Sequence, residues 1–463
     1  MKKSFATACG GLLIVALAAG CATAQAPSAP RSPARSAATS PSVSQQASRP
    51  PATVPPSGGT QPPGGPVPAG FSAASVTFVS AGEAFALGAA PCGHASCTLV
   101  ARTLDRGVSW REWLAPAVPL GEPYAGTGPA LWGIRFATPD HGFVFGNGLW
   151  VTTSGGEHWS AVAYPGGAIM SLEIVDGQVL AVTARHGADG LTGWALSRRA
   201  LGGGPWVRIT ALAGTPAYGS VSGFGGIATQ AGVAAVLDGS SVLVTSDGGL
   251  TVTKHAAPCP AAGDPFPLVT SVAVEAPHGL ALLCTGQGYT GHTDKSVYVS
   301  GDLGATWTLA GHPGSAGDGG TIAASAPGHL TIATTSAASW LYYSADNGKT
   351  WRTVVTYLDG GDGWNDLGFT TGSQGVVIHG HPAHGDMLGQ LLTTENSGLT
   401  WHAIKFLPAV GPTLPVGCSG GYPSAAHHGA RPAGAAGGRG LHYRPDRDRR
   451  PGQDGPARAS LRQ

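Results

Sequence analysis

Two short stretches gather side chains that could carry chemistry. Asp359, Asp362, Trp364 and Asp366 fall within eight residues. Two carboxylates beside an indole could serve as acid and base across a glycosidic bond, with Trp364 as a platform for the sugar ring. The same residues also read as a Gly-rich acidic turn. His379, His381, His384 and Asp386 fall within another eight and could hold a divalent cation. Their spacing is irregular and no second ligand set accompanies them, so the plainer reading is a solvated loop, and no cofactor is expected.

The elements that must position these groups follow from an internal repeat. Ser300-Gly-Asp302-Leu-Gly304-Ala-Thr306-Trp307 recurs as Ser344-Ala-Asp346-Asn-Gly348-Lys-Thr350-Trp351. Looser copies centre on Asp105 and Asn396, and Asp247 heads a copy with Val252 in the Trp place. Worn copies end at Trp159 and Trp206. The end positions 110, 159, 206, 252, 307, 351 and 401 are 44–55 residues apart, the span of one propeller blade. Within a unit, the Asp carboxylate accepts backbone N–H bonds in a turn and Gly supplies a positive φ. The expected fold is all-β, a seven-bladed propeller of four-stranded blades over 70–408. The repeated Asp105, Asp247, Asp302 and Asp346, with Asn396, are structural on this reading.

Charge removes one class of function. Residues 71–408 hold nine Arg and four Lys against 22 acids, a net charge of −9. A basic footprint is what nucleic-acid binding needs, and this core lacks it. Gly (74) and Pro (37) make up about a quarter of the 463 residues while charged side chains are 11%, which also excludes a coiled coil.

Met1, Lys2 and Lys3 followed by a short apolar run over 11–19 read as a signal peptide over 1–20. The stretch LAAGC resembles the lipobox of bacterial lipoproteins, which implies acylation at Cys21 and a membrane anchor; Leu17 sits one place further from the Cys than that pattern has it. Ordinary cleavage near Ala24 with free secretion is the alternative. Residues 21–69 are rich in Pro, Ser and Ala, a composition that cannot bury a core, and read as a disordered tether. Residues 409–463, with eight Arg and three Asp, read as a disordered basic extension or a frameshifted translation.

The pattern S/T-x-D-x-G-x-T/S-W resembles the Asp-box, or BNR, repeat of sialidase-like propellers. That resemblance implies, for an exo-sialidase, three Arg gripping a substrate carboxylate and an Arg-Ile-Pro element. No Arg-Ile-Pro occurs, Ile134-Arg135-Phe136 being nearest, and blades 4, 5 and 7 contain no Arg. An Asp-box endoglucanase would draw its acid and base from Asp362 and Asp366. The phrase FATPDHGFVFG over 136–146 resembles blades of the photosystem II assembly and stability factor family, where the propeller is a binding scaffold; fold likeness carries no partner.

Four core cysteines complete the reading. Cys92 and Cys97 lie between strands B and C of blade 1, Cys259 just after strand D of blade 4, and Cys284 at the end of strand B of blade 5. Strand parity puts all four on one face, opposite the repeated turns, so 92–97 and 259–284 are the reasonable disulfides of an exported chain. The expected function is an exported, lipid-anchored, monomeric binding module for a protein or glycan partner, with Trp364, His379, His381 and His384 as candidate contacts. The alternative is a glycoside hydrolase. A convergent carboxylate pair on the channel favours the hydrolase; a mouth of aliphatic and Gly residues favours the scaffold.

Overall fold

The structure, a computed structural model, describes residues 64–122, 126–164, 166–187, 190–213, 226–259, 268–275, 277–358, 363–380 and 389–406. Cys21, the signal segment, residues 21–63 of the tether and the tail lie outside the described residues. Strands β1–β28, numbered in chain order, form seven four-stranded antiparallel sheets, each made of four consecutive strands. Among the described residues there is no helix, and so none long and apolar enough to cross a membrane.

The ring is held by what lies between sheets. Among the described residues seven apolar clusters occur, and each joins two consecutive blades. The cluster of Phe71, Trp110, Val376, Ile378 and Leu391 joins blade 1 to blade 7 and closes the circle. A sheet sandwiched between two others is buried on both faces. That is why β6 (Gly142–Gly146, GFVFG) and β14 (Val233–Asp238, VAAVLD) are unbroken buried runs instead of alternating ones. The outer strands β4 (Arg111–Trp113), β12 (Val207–Ala211) and β24 (Arg352–Tyr357) face solvent and lose that pattern. Residues 64–66 pair with β4 and cover the edge of blade 1, through hydrogen bonds from Gly64 N to Glu112 O and from Glu112 N to Gly65 O.

The repeated turns between the third and fourth strands share one hydrogen-bond set. In blade 5, Ser300 Oγ donates to Asp302 Oδ1 (2.8 Å) and accepts from Gly304 N (2.8 Å). Thr306 donates its N–H to Asp302 Oδ1 (2.8 Å) and its hydroxyl to Oδ2 (2.7 Å). Asp105, Asp247 and Asp346 repeat this with their own Thr or Ser, and Asn396 does so in blade 7 by accepting from Thr400 N (2.9 Å) while donating to its hydroxyl (2.8 Å). Two consecutive residues take positive φ, not the Gly alone: Arg106 and Gly107, Leu303 and Gly304, Asn347 and Gly348, Ser397 and Gly398. The Gly is needed for space as well. A Cβ on Gly249 would meet Leu180 and Ile209 of the preceding blade at 2.9 and 2.8 Å. The Trp indoles of blades 1, 6 and 7 bond back to the Gly carbonyl of their own turn.

These hydrogen bonds hold three carboxylates well below their ordinary range. Asp247 and Asp346 are lowered to about 2, first by the hydroxyls of Thr251 and Thr350. Asp302 is lowered to about 2, first by the Thr306 N–H. A depressed folded-state value contributes stability that is full above the unfolded value, near pH 4, and lost as pH falls toward 2. Asp302→Ala is therefore expected to lower Tm at pH 7, and Asp302→Asn to lower it less, because Asn396 already fills this position. The drop in Tm between pH 6 and pH 2.5 should be smaller in Asp302→Asn than in the parent. Equal acid sensitivity of the two proteins would disprove the account.

Candidate functional site

The innermost strands of the seven blades are β1 (Ser72–Phe78), β5 (Leu131–Phe136), β9 (Ala168–Val175), β13 (Ile227–Gln230), β17 (Leu268–Glu275), β21 (Asp318–Ala326) and β25 (Trp364–Phe369). They line a central channel of about 570 Å³. Crowding at the axis selects short side chains, so Ala, Ser, Thr, Gly and Val dominate the wall. Six of these strands carry a bulge, among them one between Ala73 and Ser75 and one between Asn365 and Gly368. A bulge frees backbone groups from the ladder and re-aims the next side chain.

Hydroxyls next to the bulges stitch the blades together. Ser75 Oγ accepts from Ile134 N (3.1 Å), Ser171 Oγ from Ile227 N (3.1 Å) and Ser271 Oγ from Ile322 N (3.1 Å). These bonds join blades 1 to 2, 3 to 4 and 5 to 6. At the junction of 7 and 1 the acceptor is a carboxylate: Asp366 Oδ2 accepts from Val76 N at 2.8 Å.

Around that junction sits an ion cluster spanning blades 2, 3 and 7. Arg135 Nε donates to Glu173 Oε1 (2.7 Å), Nη2 to Asp366 Oδ1 (3.0 Å), and Nη1 to the Ile134 carbonyl (2.8 Å) and Ser75 Oγ (3.3 Å). Burial by itself would lower Arg135, but the two carboxylates outweigh it and hold the guanidinium charged. Burial pushes Glu173 up, Arg135 opposes that, and the like charge of Asp366 adds to the rise. Asp366 holds φ near +50°, which places its carboxylate between Arg135 and the blade 1 backbone.

Asp366 reaches the channel but lies in β25, not in the loop before it, and both of its oxygens are bonded. Asp362 lies outside the described residues. Trp364 is only 2% exposed, with its indole N–H bonded to Thr334 O at 3.0 Å. The expectation of a sugar platform there is corrected: the ring is packed into the junction of blades 6 and 7. His379 is likewise not in a loop but ends β26 (Gly375–His379), buried and stacked on Tyr357 with ring centroids 4.3 Å apart. His381 and His384 lie outside the described residues.

Cys92 and Cys97 stand at disulfide distance with Cα atoms 5.7 Å apart, as do Cys259 and Cys284 at 5.5 Å. Cys284 sits inside β18 (Gly279–Tyr289), not at its end, because the hairpin with β19 (His292–Ser300) runs five residues further.

Glu173 and the role of Arg135 were missed from the sequence. The available signal was a charged residue in each of two otherwise apolar inner strands, LWGIRF and AIMSLEIV. Arg135 is the one arginine lining the channel among the described residues.

No family model matches this chain, and no curated protein matches it. Among solved structures it is similar to YCF48 bound to D1 peptide, at 16% identity and a TM-score of 0.46 over 74% of this chain and 99% of that one. It is also similar to YCF48 from Cyanidioschyzon merolae, at 16% identity and a TM-score of 0.46 over 72% and 98%. The GH74 xyloglucanase from Xanthomonas campestris matches at 15% identity and a TM-score of 0.28 over 72% of each chain. The propeller assignment rests on the seven sheets and the cores between them, not on these overlaps.

Removing Arg135 leaves two carboxylates facing each other in the channel. Fully buried pairs broken from one side lose about 3–5 kcal/mol. The side chains here are 17–21% exposed, so Arg135→Leu is expected to cost about 2–3 kcal/mol in urea unfolding at pH 7. Much of that loss should return in the triple variant Arg135→Leu, Glu173→Gln, Asp366→Asn. An Arg135→Leu protein as stable as the parent would refute the cluster's role.

Proposed function

We propose that this chain is an exported, lipid-anchored propeller that binds a protein or glycan partner at the cell surface without turning it over. The working face is the rim that carries the cysteine pairs and the channel mouth, opposite the repeated turns. The observation that carries this reading is Arg135. Glycosidic cleavage needs one carboxyl free to carry a proton and a second free to attack or to activate water. Of the three carboxylates lining this channel, Glu122, Glu173 and Asp366, the two in the inner strands give lone pairs to the same guanidinium. Most of the remaining wall is Ala, Ser, Thr, Gly, Val and Ile, with Phe and Trp rings and Glu122 among them. The two cysteine pairs and the signal-like N-terminus support export. Acylation at Cys21 rests on the lipobox-like residues alone.

One observation favours the alternative, a glycoside hydrolase of the Asp-box type. Burial pushes Glu173 up, the direction a general acid requires.

Incubation of the mature protein with fluorogenic glycosides, sialosides and β-glucans is expected to give no turnover. Turnover abolished by Glu173→Gln or Asp366→Asn would replace the binding reading with the hydrolase. The working face has its own test. Photo-crosslinkers at His94, at the β2 (Ala84–Cys92) to β3 (Ala95–Thr103) turn, and at Leu250, in a repeated turn, sit on opposite rims. Partner adducts are expected from His94 only, and adducts from Leu250 alone would move the face.

A further inference from the structure

Away from the channel, blade 3 outgrows its neighbour. In blade 2 the second and third strands, β6 and β7 (Leu149–Thr152), are five and four residues long. In blade 3, β10 (Gln178–Gly187) and β11 (Gly190–Ala200) run to ten and eleven. Blade 2 cannot cover that length, and a cleft of about 430 Å³ remains above the core shared by the two blades. This is a small-ligand volume, near the lower end of the usual range of about 300–1,000 Å³.

The lining is unlike the rest of this acidic core. Arg185 and Arg208 stand in the cleft. The ion pairs among the described residues involve Arg102, Arg135 and Lys254, so neither cleft guanidinium has a carboxylate partner there. Trp206 and Tyr164 form one wall, and the Trp206 indole N–H is tied to Ala163 O at 3.1 Å, which fixes the ring. Gly193 and Ala195 make a low floor. Ser197, 1% exposed, lies in register with Arg208, and its hydroxyl is buried without a hydrogen-bond partner. An orphaned buried hydroxyl is a cost to the folded protein that a ligand could offset.

We infer that this cleft is a second binding site, for an acidic sugar. Two guanidiniums clamp its carboxylate through charge-assisted pairs, the fixed aromatic wall takes the apolar face of the ring, and Ser197 meets a ring hydroxyl. A peptide strand could pair only along the outer edge of β12, whereas the cleft itself is lined by side chains on the face of the β10–β11–β12 sheet. The site is independent of the channel, and the working-face proposal can fail without it.

The test is calorimetric titration of the full chain with a glucuronic acid-containing disaccharide, its glucose counterpart and a short acidic peptide. The acidic sugar is expected to bind at least about tenfold more tightly than the neutral one, the size of one lost charge-assisted hydrogen bond. Arg185→Gln and Arg208→Gln should each weaken it about tenfold, with Tm unchanged because both side chains are exposed. Ser197→Ala should weaken binding about threefold without lowering Tm, since it deletes an unpaired hydroxyl. The inference is overturned by equal affinity for the neutral sugar, by no binding of the acidic sugar at millimolar concentration, or by tighter binding of the peptide that the same substitutions abolish.

Discussion

Each blade of this ring must bury two faces, and only a closed circle gives every blade two neighbours. Blade 7 therefore has to meet blade 1, although their inner strands lie about 290 residues apart, as the bond from Val76 N to Asp366 shows. Three other junctions along the inner wall are closed by a serine hydroxyl taking an N–H from the next blade. Those bonds pair blades two by two, and seven is odd. The blade left over is joined by Asp366, whose charge then has to be balanced, and Arg135 of blade 2 balances it together with Glu173 of blade 3. The only ion cluster found in the channel among the described residues thus follows from closing the ring.

That origin bears on function. A pair of carboxylates converging on a propeller axis would ordinarily suggest hydrolysis. Here their geometry is set by an arginine that both of them share, and one of them is also bonded to the backbone of a third blade. Charge placed for closure is poorly placed for proton transfer. The two binding surfaces we propose lie instead at the loops of the cysteine-bearing rim and in the cleft where blade 3 outgrows blade 2.

The repeated turns were legible because their information is local. Ser or Thr, Asp, Gly and Thr complete their hydrogen bonds within seven residues, so spacing alone reveals them, and Asn396 keeps the set with one bond reversed. The reading of one left-handed residue per turn fell short, because Leu303 and Asn347 take positive φ beside the Gly. Trp364 and His379 were misplaced for a different cause. Trp364 follows a Gly-rich, turn-like stretch and His379 precedes one, yet burial between blades 6 and 7 draws them into strands β25 and β26. Tertiary packing overrode local composition there.

The sequence by itself determined the number of blades, their order, the turns that end them and the two cysteine pairs that the structure brings together. All of these depend on groups near in the chain or on strand parity. Only the tertiary structure decided that Arg135, Glu173 and Asp366 meet, that Trp364 is core, and that an open cleft lined by Arg185 and Arg208 lies beside the junction of blades 2 and 3. Those facts depend on which residues of different repeats share the axis or a face, and on strand lengths in two neighbouring blades. No spacing within one repeat encodes a contact between two of them.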